Sequence, residues 1–282
     1  MVGGTWLGQL ARHAVLLAGI ALVLGPIWFA FVASTLDPSD IMSRRLPLLP
    51  GPHGAETYAQ VLGGGLARAG APPLALMLMN SLIVAIAVAV GKIVISLLSA
   101  FAIVYFRFPG RMLAFWLIFI TLMLPVEVRI LPTFEVIAHL NLVNTYWGLT
   151  VPLMASATAT FLFRQFFLSV PREIADAARL DGARPLAFLW HVLIPMSRTS
   201  IAALFVILFV YGWNQYLWPL LVTTEPRYYT IVMGIQRMLA VPDATPTWHT
   251  IMATATLALV PPAVVVVIMR RAFVRGLVDS EK

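Results

Sequence analysis

Six apolar runs recur along the chain, at residues 13–36, 74–106, 112–132, 147–168, 200–222 and 248–269. A helix that crosses the hydrocarbon core needs about 20 apolar residues, because no water is there to bond a free backbone N–H or C=O. Each run meets that length, and most charged residues fall between the runs. The composition agrees: 60% of the 282 residues are hydrophobic and only 11% are charged, too little polar surface to cover a water-soluble domain of this size. The expected fold is all-α, a polytopic membrane helical bundle of about six transmembrane helices, with residues 1–282 forming one transmembrane domain. The first run is too long for a signal-peptide core and is expected to be a retained span.

The same numbers remove several classes. Charge is too sparse for disorder, and with no cysteine in the chain there is neither a disulfide framework nor a cysteine metal site. The formal charge of +7 marks cytoplasmic loops in so apolar a chain, not a nucleic-acid surface. The longest loop, residues 37–73, is rich in proline and glycine. Pro109-Gly110 marks a short turn, residues 133–146 read as a weakly polar connector, residues 223–247 form a polar loop, and Pro261-Pro262 are expected to split the sixth run. Residues 169–199 carry Arg172, Glu173, Asp176, Arg179, Asp181, Arg184 and Arg198, too many charges for a span, and read as an amphipathic helical loop.

Orientation follows from the cations, since short loops rich in Lys and Arg stay on the cytoplasmic side. With the N-terminus inside, Arg12, Arg107, Arg111, Arg164, Arg172, Arg179, Arg184, Arg198, Arg270, Arg271, Arg275 and Lys282 fall on the inner side. Only Arg44, Arg45, Arg68, Arg227 and Arg237 fall outside. Both termini are therefore expected to be cytoplasmic, with 37–73 extracytoplasmic and both 169–199 and the tail 270–282 cytoplasmic.

The segment PREIADAARLDGARPLAFLWHVLIP, residues 171–195, carries the clearest local signal. Pro171 and Glu173 suit a helix first turn, the alanines and Leu180 favour continuation, and Gly182 offers the left-handed conformation that ends a helix. Helical spacing groups Ile174, Ala177, Ala178 and Asp181, a small-residue surface that lets another protein approach closely. From these residues alone the reading is a docking helix, with a solvated interfacial helix as the alternative.

Asp176-Ala177-Ala178, then Gly182, then Val192, Ile194 and Pro195, resembles the EAA loop of ABC importer permeases, with Asp176 standing where that family usually has Glu. The resemblance extends along the chain through MLMNS at 77–81, LLSAFAIVYFRFP at 97–109, FITLMLPVEVRILPT at 119–133, PLMASATATFLFRQFF at 152–167, YGWNQYLWPLL at 211–221 and RAFVRGLVDSEK at 271–282. It points to the binding-protein-dependent, carbohydrate-type permeases, and within them to the branch that imports glycerophosphates.

That resemblance implies a non-catalytic permease in a bacterial inner membrane. Glu173, Asp176, Ala177, Ala178, Asp181, Gly182 and Pro195 would form the coupling helix and loop that dock on an ATPase. It implies a homologous permease partner, two ATP-binding subunits, an extracytoplasmic substrate-binding protein and membrane lipid as neighbours. ATP and Mg would be used by the partner subunits, with no cofactor on this chain. The implied substrate is sn-glycerol-3-phosphate or a related glycerophosphodiester, with a carbohydrate as the alternative. It also implies that the tail, through Arg275, Asp279 and Glu281, reaches the ATPase dimer; the plain alternative is cationic anchoring at the inner surface.

Glu127 and Arg129 lie between Pro125 and Pro132, where interrupted helix frees carbonyls that must line protein or water. Arg129 suits an anionic phosphate through paired hydrogen bonds; the alternative is structural contact at the outer interface. Lys92, inside the second run, must face the bundle or a cavity, as a structural ion pair or as a substrate contact. Trp213, Asn214, Gln215 and Trp218 offer amides and aromatic faces for a polyol, or else an aromatic belt and interhelical packing. The small residues Ala155–Thr160 read as a close helix-packing face.

Gly91-Lys92 lacks the upstream glycine of a phosphate-cradling loop, so ATP hydrolysis is not expected here. The histidines His13, His53, His139, His191 and His249 are scattered without metal-ligand spacing. A lipid-phosphate enzyme using Arg129 and His139 lacks an arranged nucleophile, and an ion-coupled secondary transporter lacks a midplane carboxylate in the clean runs.

Overall fold

The computed structural model describes residues 6–41, 47–66, 70–123, 126–240 and 247–279. Among these the regular structure is entirely helical. The helices are α1 (Trp6–Ala33), α2 (Pro38–Ile41), α3 (Gly54–Leu62), α4 (Leu74–Tyr105), α5 (Arg111–Met123), α6 (Val126–His139), α7 (Tyr146–Thr150) and α8 (Ala157–Ser169). They continue with α9 (Arg172–Leu180), α10 (Pro185–Phe188), α11 (Ile194–Met196), α12 (Arg198–Trp213), α13 (Leu217–Val222), α14 (Ile231–Leu239), α15 (Trp248–Ala258) and α16 (Val260–Asp279).

By length and composition, three described helical stretches can cross a membrane: Gly8–Ala33, Leu74–Tyr105 and Trp248–Arg270. Two further stretches qualify only as bent pairs, Tyr146–Leu153 with Ala157–Ser169 at 48° and Pro185–Met196 with Arg198–Trp213 at 76°. The fourth apolar run is thus broken, where hydropathy alone reads it as continuous; the second bend, at Ser197, precedes the fifth run, which is divided at Asn214–Tyr216 between α12 and α13. Each break has a local cause. A 3₁₀ turn at Val151–Leu153 holds Pro152, and the Ser156 hydroxyl then caps a new helix by accepting the Ala159 N–H at 3.3 Å. In the second pair, Pro195 cannot donate a backbone bond, and a π-turn over Leu189–Leu193 accommodates it, with the Ile194 N–H reaching the Leu189 carbonyl.

Two expectations shift. Residues 133–146 are not simply a connector, because α6 runs through Pro132 to His139. Beside the proline the Thr133 hydroxyl donates to the Arg129 carbonyl at 2.7 Å. Pro261 and Pro262 break the sixth run less than expected, since they fall in the first turn of α16, where a missing N–H costs little.

The chain divides into two compact units. In the first, residues up to 76 with 234–260, α15 packs on α1, α2 and α3. Burial is concentrated at the C-terminal end of α1 and the turn after it, with Val32, Ala33 and Leu36 buried, while the most apolar window of Gly8–Ala33 is 6% buried. Thr35 organises the join: its hydroxyl donates to the Val32 carbonyl at 2.7 Å and accepts the Gly51 N–H at 2.8 Å. A Cβ on Gly51 would lie 2.7 Å from the Thr35 carbonyl oxygen, so glycine is required for that approach. Asp37 caps α2 by accepting from the Ser39 N–H at 2.9 Å and its hydroxyl at 2.7 Å, which holds the carboxyl below its ordinary pKa.

The second unit, residues 77–233 with 261 onward, is built on α4. Gly212 lets α12 approach it, since a Cβ there would lie 2.9 Å from the Ala85 Cα. Asn80, fully buried, satisfies three groups: its amide donates to the carbonyls of Arg227 at 2.9 Å and Tyr229 at 3.0 Å, and its oxygen accepts the Tyr146 hydroxyl at 2.7 Å. Ser81 accepts the Ile231 N–H at 2.8 Å. Val84, Val88, Ile130, Ile137, Leu149 and Trp218 form the apolar cluster around which these polar ties sit. At one end of the unit α5 packs on α8, with the rings of Phe115, Phe119 and Phe161 together and the Arg164 guanidinium 4.3 Å from the Phe115 centroid.

Candidate functional site

The charged segment folds as its turn chemistry dictates. Glu173 lies in the first turn of α9 and Arg179 in the last, each complementing the helix dipole. Past the helix, Gly182 takes φ +72°, the Gly182 N–H donates to the Arg179 carbonyl at 3.0 Å and the Ala183 N–H to the Ala178 carbonyl at 2.9 Å. This is a Schellman cap, and a left-handed residue is its requirement. Asp176 accepts from Arg179 at 2.9 Å on the exposed side of the helix.

The small-residue group expected to act together is divided by the fold. Ile174 and Ala178 are half-buried, whereas Glu173, Asp176, Ala177, Asp181 and Gly182 are exposed. Leu180 is 90% exposed. The outer face of α9 is therefore Glu173, Ala177, Leu180 and Asp181, at the i, i+4, i+7, i+8 positions of one stripe. On the inner side Ala175 and Ala178 line an apolar cleft of about 90 Å³ with Phe101, Tyr105, Phe106 and Phe188. The Tyr105 ring meets Phe188 edge-on with centroids 5.3 Å apart. Pro195 is exposed, two residues before the buried Ser197, whose hydroxyl donates to the Leu193 carbonyl at 2.6 Å.

Beside this cleft lies a wider one of about 490 Å³, lined by Arg107, Arg111, Arg172 and Arg179 together with Tyr105 and Asp176. Arg179 is paired with Asp176, so the cleft carries an excess of positive charge.

A third cavity, about 60 Å³, lies deeper in the same unit and brings Lys92, Arg129, Thr133, Pro152, Tyr211 and Trp218 together. Lys92 is 7% exposed and its ammonium stands 3.9 Å from the centre of the Tyr211 ring. The Trp218 indole N–H donates to the Gly148 carbonyl at 3.1 Å, which fixes the ring as a wall of the cavity.

The candidates in the YGWNQYLWP stretch separate. Trp218 reaches the cavity; Trp213 is buried and stacks on Phe209 with centroids 5.9 Å apart; Asn214 is exposed; and the Gln215 amide donates to the Tyr211 carbonyl at 3.1 Å. Tyr211 and Thr133 are cavity residues that pattern reading passes over, since neither is charged and both belong to apolar helices. The side chains of Glu127, Arg275 and Asp279, and all of Glu281, lie outside the described residues.

Comparison with known proteins places the chain. Residues 92–279 match the family described as binding-protein-dependent transport system inner membrane component. The chain is 57% identical over 276 residues, 98% of each chain, to the sn-glycerol-3-phosphate transport system permease protein UgpE of Rhizobium meliloti (strain 1021). It is 55% identical over the whole of both chains to the protein of that name from Agrobacterium fabrum (strain C58 / ATCC 33970). The Yersinia pestis bv. Antiqua (strain Antiqua) protein of that name is 55% identical over 96% of each chain. The fold resembles a chain in the crystal structure of a bacterial ABC transporter involved in the import of the acidic polysaccharide alginate, with a TM-score of 0.81 at 19% identity, covering 94% of this chain and 96% of that one. With its apolar helices and this similarity over nearly its full length, the chain belongs to the binding-protein-dependent transport system inner membrane components, as a multi-pass membrane protein.

Proposed function

We propose that this chain is a permease subunit of an ATP-driven importer of sn-glycerol-3-phosphate or related glycerophosphodiesters, itself non-catalytic. The substrate class is taken from the names of its relatives. The observation that carries the mechanism is α9: a capped, charged helix whose outer stripe ends in an almost fully exposed Leu180, standing on an aromatic cleft at the end of α4. An exposed leucine beside an alanine and two carboxylates, on a helix too charged to lie in hydrocarbon, supports the docking role.

In this reading the segment 169–199 faces the cytoplasm and docks on one of two ATP-binding subunits, which use ATP and Mg; the tail, through Arg275, Asp279 and Glu281, contacts the same dimer. Both termini are cytoplasmic and the loop 37–73 faces the extracytoplasmic binding protein. The arginines of the wider cleft, Arg107 and Arg111 where the chain passes from α4 to α5 and Arg172 and Arg179 on α9, suit the inner membrane surface, where anionic lipid attracts them. A 60 Å³ cavity is far below the roughly 300 Å³ at which small-molecule sites begin, so a homologous permease supplies the other wall of the path. ATPase closure moves α9, and the bundle exchanges one set of contacts for another, the differential interaction that any driven conformational change requires.

The test is to purify the chain with its copurifying partners, reconstitute the complex, and measure ATP turnover with binding protein loaded with glycerol-3-phosphate, a glycerophosphodiester or a sugar. Stimulation by a glycerophosphate-loaded form is expected. Stimulation by a sugar alone would move the substrate to carbohydrate, and absence of any copurifying ATPase would remove the importer reading.

A further inference from the structure

We propose that Lys92 and Arg129 form this chain's share of a phosphate seat in the translocation path, and that the pair selects a phosphate monoester over a phosphodiester. The proposal rests on the import reading above and names the chemistry of its substrate contact.

Lys92 is the nineteenth of the 32 residues of α4, close to the middle of a helix long enough to span the bilayer. An ammonium at that depth is costly unless it faces protein or a cavity and finds compensating charge. It is 93% buried (7% exposed), and among the described side chains no carboxylate pairs with it or with Arg129. It stands over the face of Tyr211, 3.9 Å from the ammonium to the ring centre. A ring quadrupole attracts a cation without neutralising it, and leaves the ammonium hydrogens free for an acceptor.

Arg129, half-buried, lines the same cavity from α6, and the Thr133 hydroxyl one turn further on adds a polar group. Two cations that share a small cavity repel each other, and both gain when an anion enters between them. The space, about 60 Å³, suits a headgroup and not a whole substrate. Charge then sets the preference. A phosphate monoester carries about −1.5 to −2 near pH 7 and can match both cations. A phosphodiester carries a single negative charge and leaves one cation uncompensated, while a neutral sugar leaves both.

The experiment uses the reconstituted complex, with Lys92→Met and Arg129→Gln compared with the unaltered chain. Uptake and loaded-binding-protein-stimulated ATP turnover are measured with glycerol-3-phosphate and with a glycerophosphodiester. Each variant is expected to lose roughly tenfold or more of monoester uptake, as for a charge-assisted hydrogen bond removed, and to lose less diester uptake. The monoester-to-diester ratio is the decisive readout, because a merely structural defect would depress both substrates together. Glu127 is the alternative internal counter-ion, so the double variant Lys92→Met/Glu127→Gln is included: recovery of uptake in the double variant would assign Lys92 to a structural ion pair and overturn the proposal. So would an unchanged ratio in both single variants of a complex that glycerol-3-phosphate does stimulate. A complex that no glycerophosphate stimulates, in unaltered form, would instead remove the import reading on which the seat depends.

Discussion

Gly182 and Gly148 are required for different reasons, and their variants separate the two. At Gly182 a Cβ would meet nothing within 4 Å, but φ is +72°. Gly182→Val is therefore expected to cost about 1–2 kcal/mol at the helix cap through backbone conformation alone. The chain should insert normally while ATP turnover stimulated by loaded binding protein falls; unchanged stimulation would show that the cap does not matter to coupling. At Gly148 the added Cβ would fall on the Leu142 carbonyl oxygen. Gly148→Ala is expected to destabilise the second unit by about 1–3 kcal/mol, read as a lower thermal midpoint of the detergent-solubilised complex. Gly182 is legible in the sequence because a helix stop is local chemistry: alanines, a leucine and a following proline frame it. Gly148 is not, because the oxygen it must avoid is placed by the turn through Asn141 and Asn144, both left-handed at φ 56° and 57°. Lys92 and Tyr211 meet for the same kind of reason. Each is visible in its own helix, and only the packing of α4 against α12 makes them neighbours.

Helices show where hydropathy informs and where it does not. The apolar run at 74–106 is one helix because nothing in it interrupts backbone bonding, and α4 ends within a residue of the run's own end. The runs at 147–168 and 200–222 are apolar to a similar degree, yet Pro152 with Ser156, and Asn214 with Gln215, divide them, and the cost of those breaks depends on partners that pattern alone does not supply. For α9 the amphipathic reading holds, but its phase does not follow from the small residues. Ala178 turns inward and Leu180 outward because the aromatic cleft of Phe101, Tyr105 and Phe188 takes the smaller side chain. The outer stripe gives a direct expectation. Ala177→Trp should leave α9 folded, since Ala177 is exposed, and should reduce retention of the ATP-binding subunits by about tenfold or more in copurification. Retention equal to that of the unaltered complex would place the docking surface elsewhere.

At the scale of the whole molecule, sidedness is open to a simple test, because the chain has no cysteine to remove first. Ser39→Cys, in the first polar loop, is expected to react with an impermeant maleimide added outside intact spheroplasts. Leu180→Cys should react only after permeabilisation, since its side chain is exposed and the cation-based orientation puts it on the inner side. The reverse pattern would invert the cation-based orientation, and labelling of both from outside would place 169–199 outside the membrane. One feature of α4 then bears on how fast such a protein can work. Lys92 and Tyr105 are carried on the same unbroken helix, 13 positions apart, a separation of about 20 Å at 1.5 Å per residue. No proline interrupts that length. A stiff rod has no joint at which displacement is lost, so a shift of the aromatic pad beneath α9 arrives at the Lys92 cavity at nearly its full amplitude, without waiting for an intermediate rearrangement.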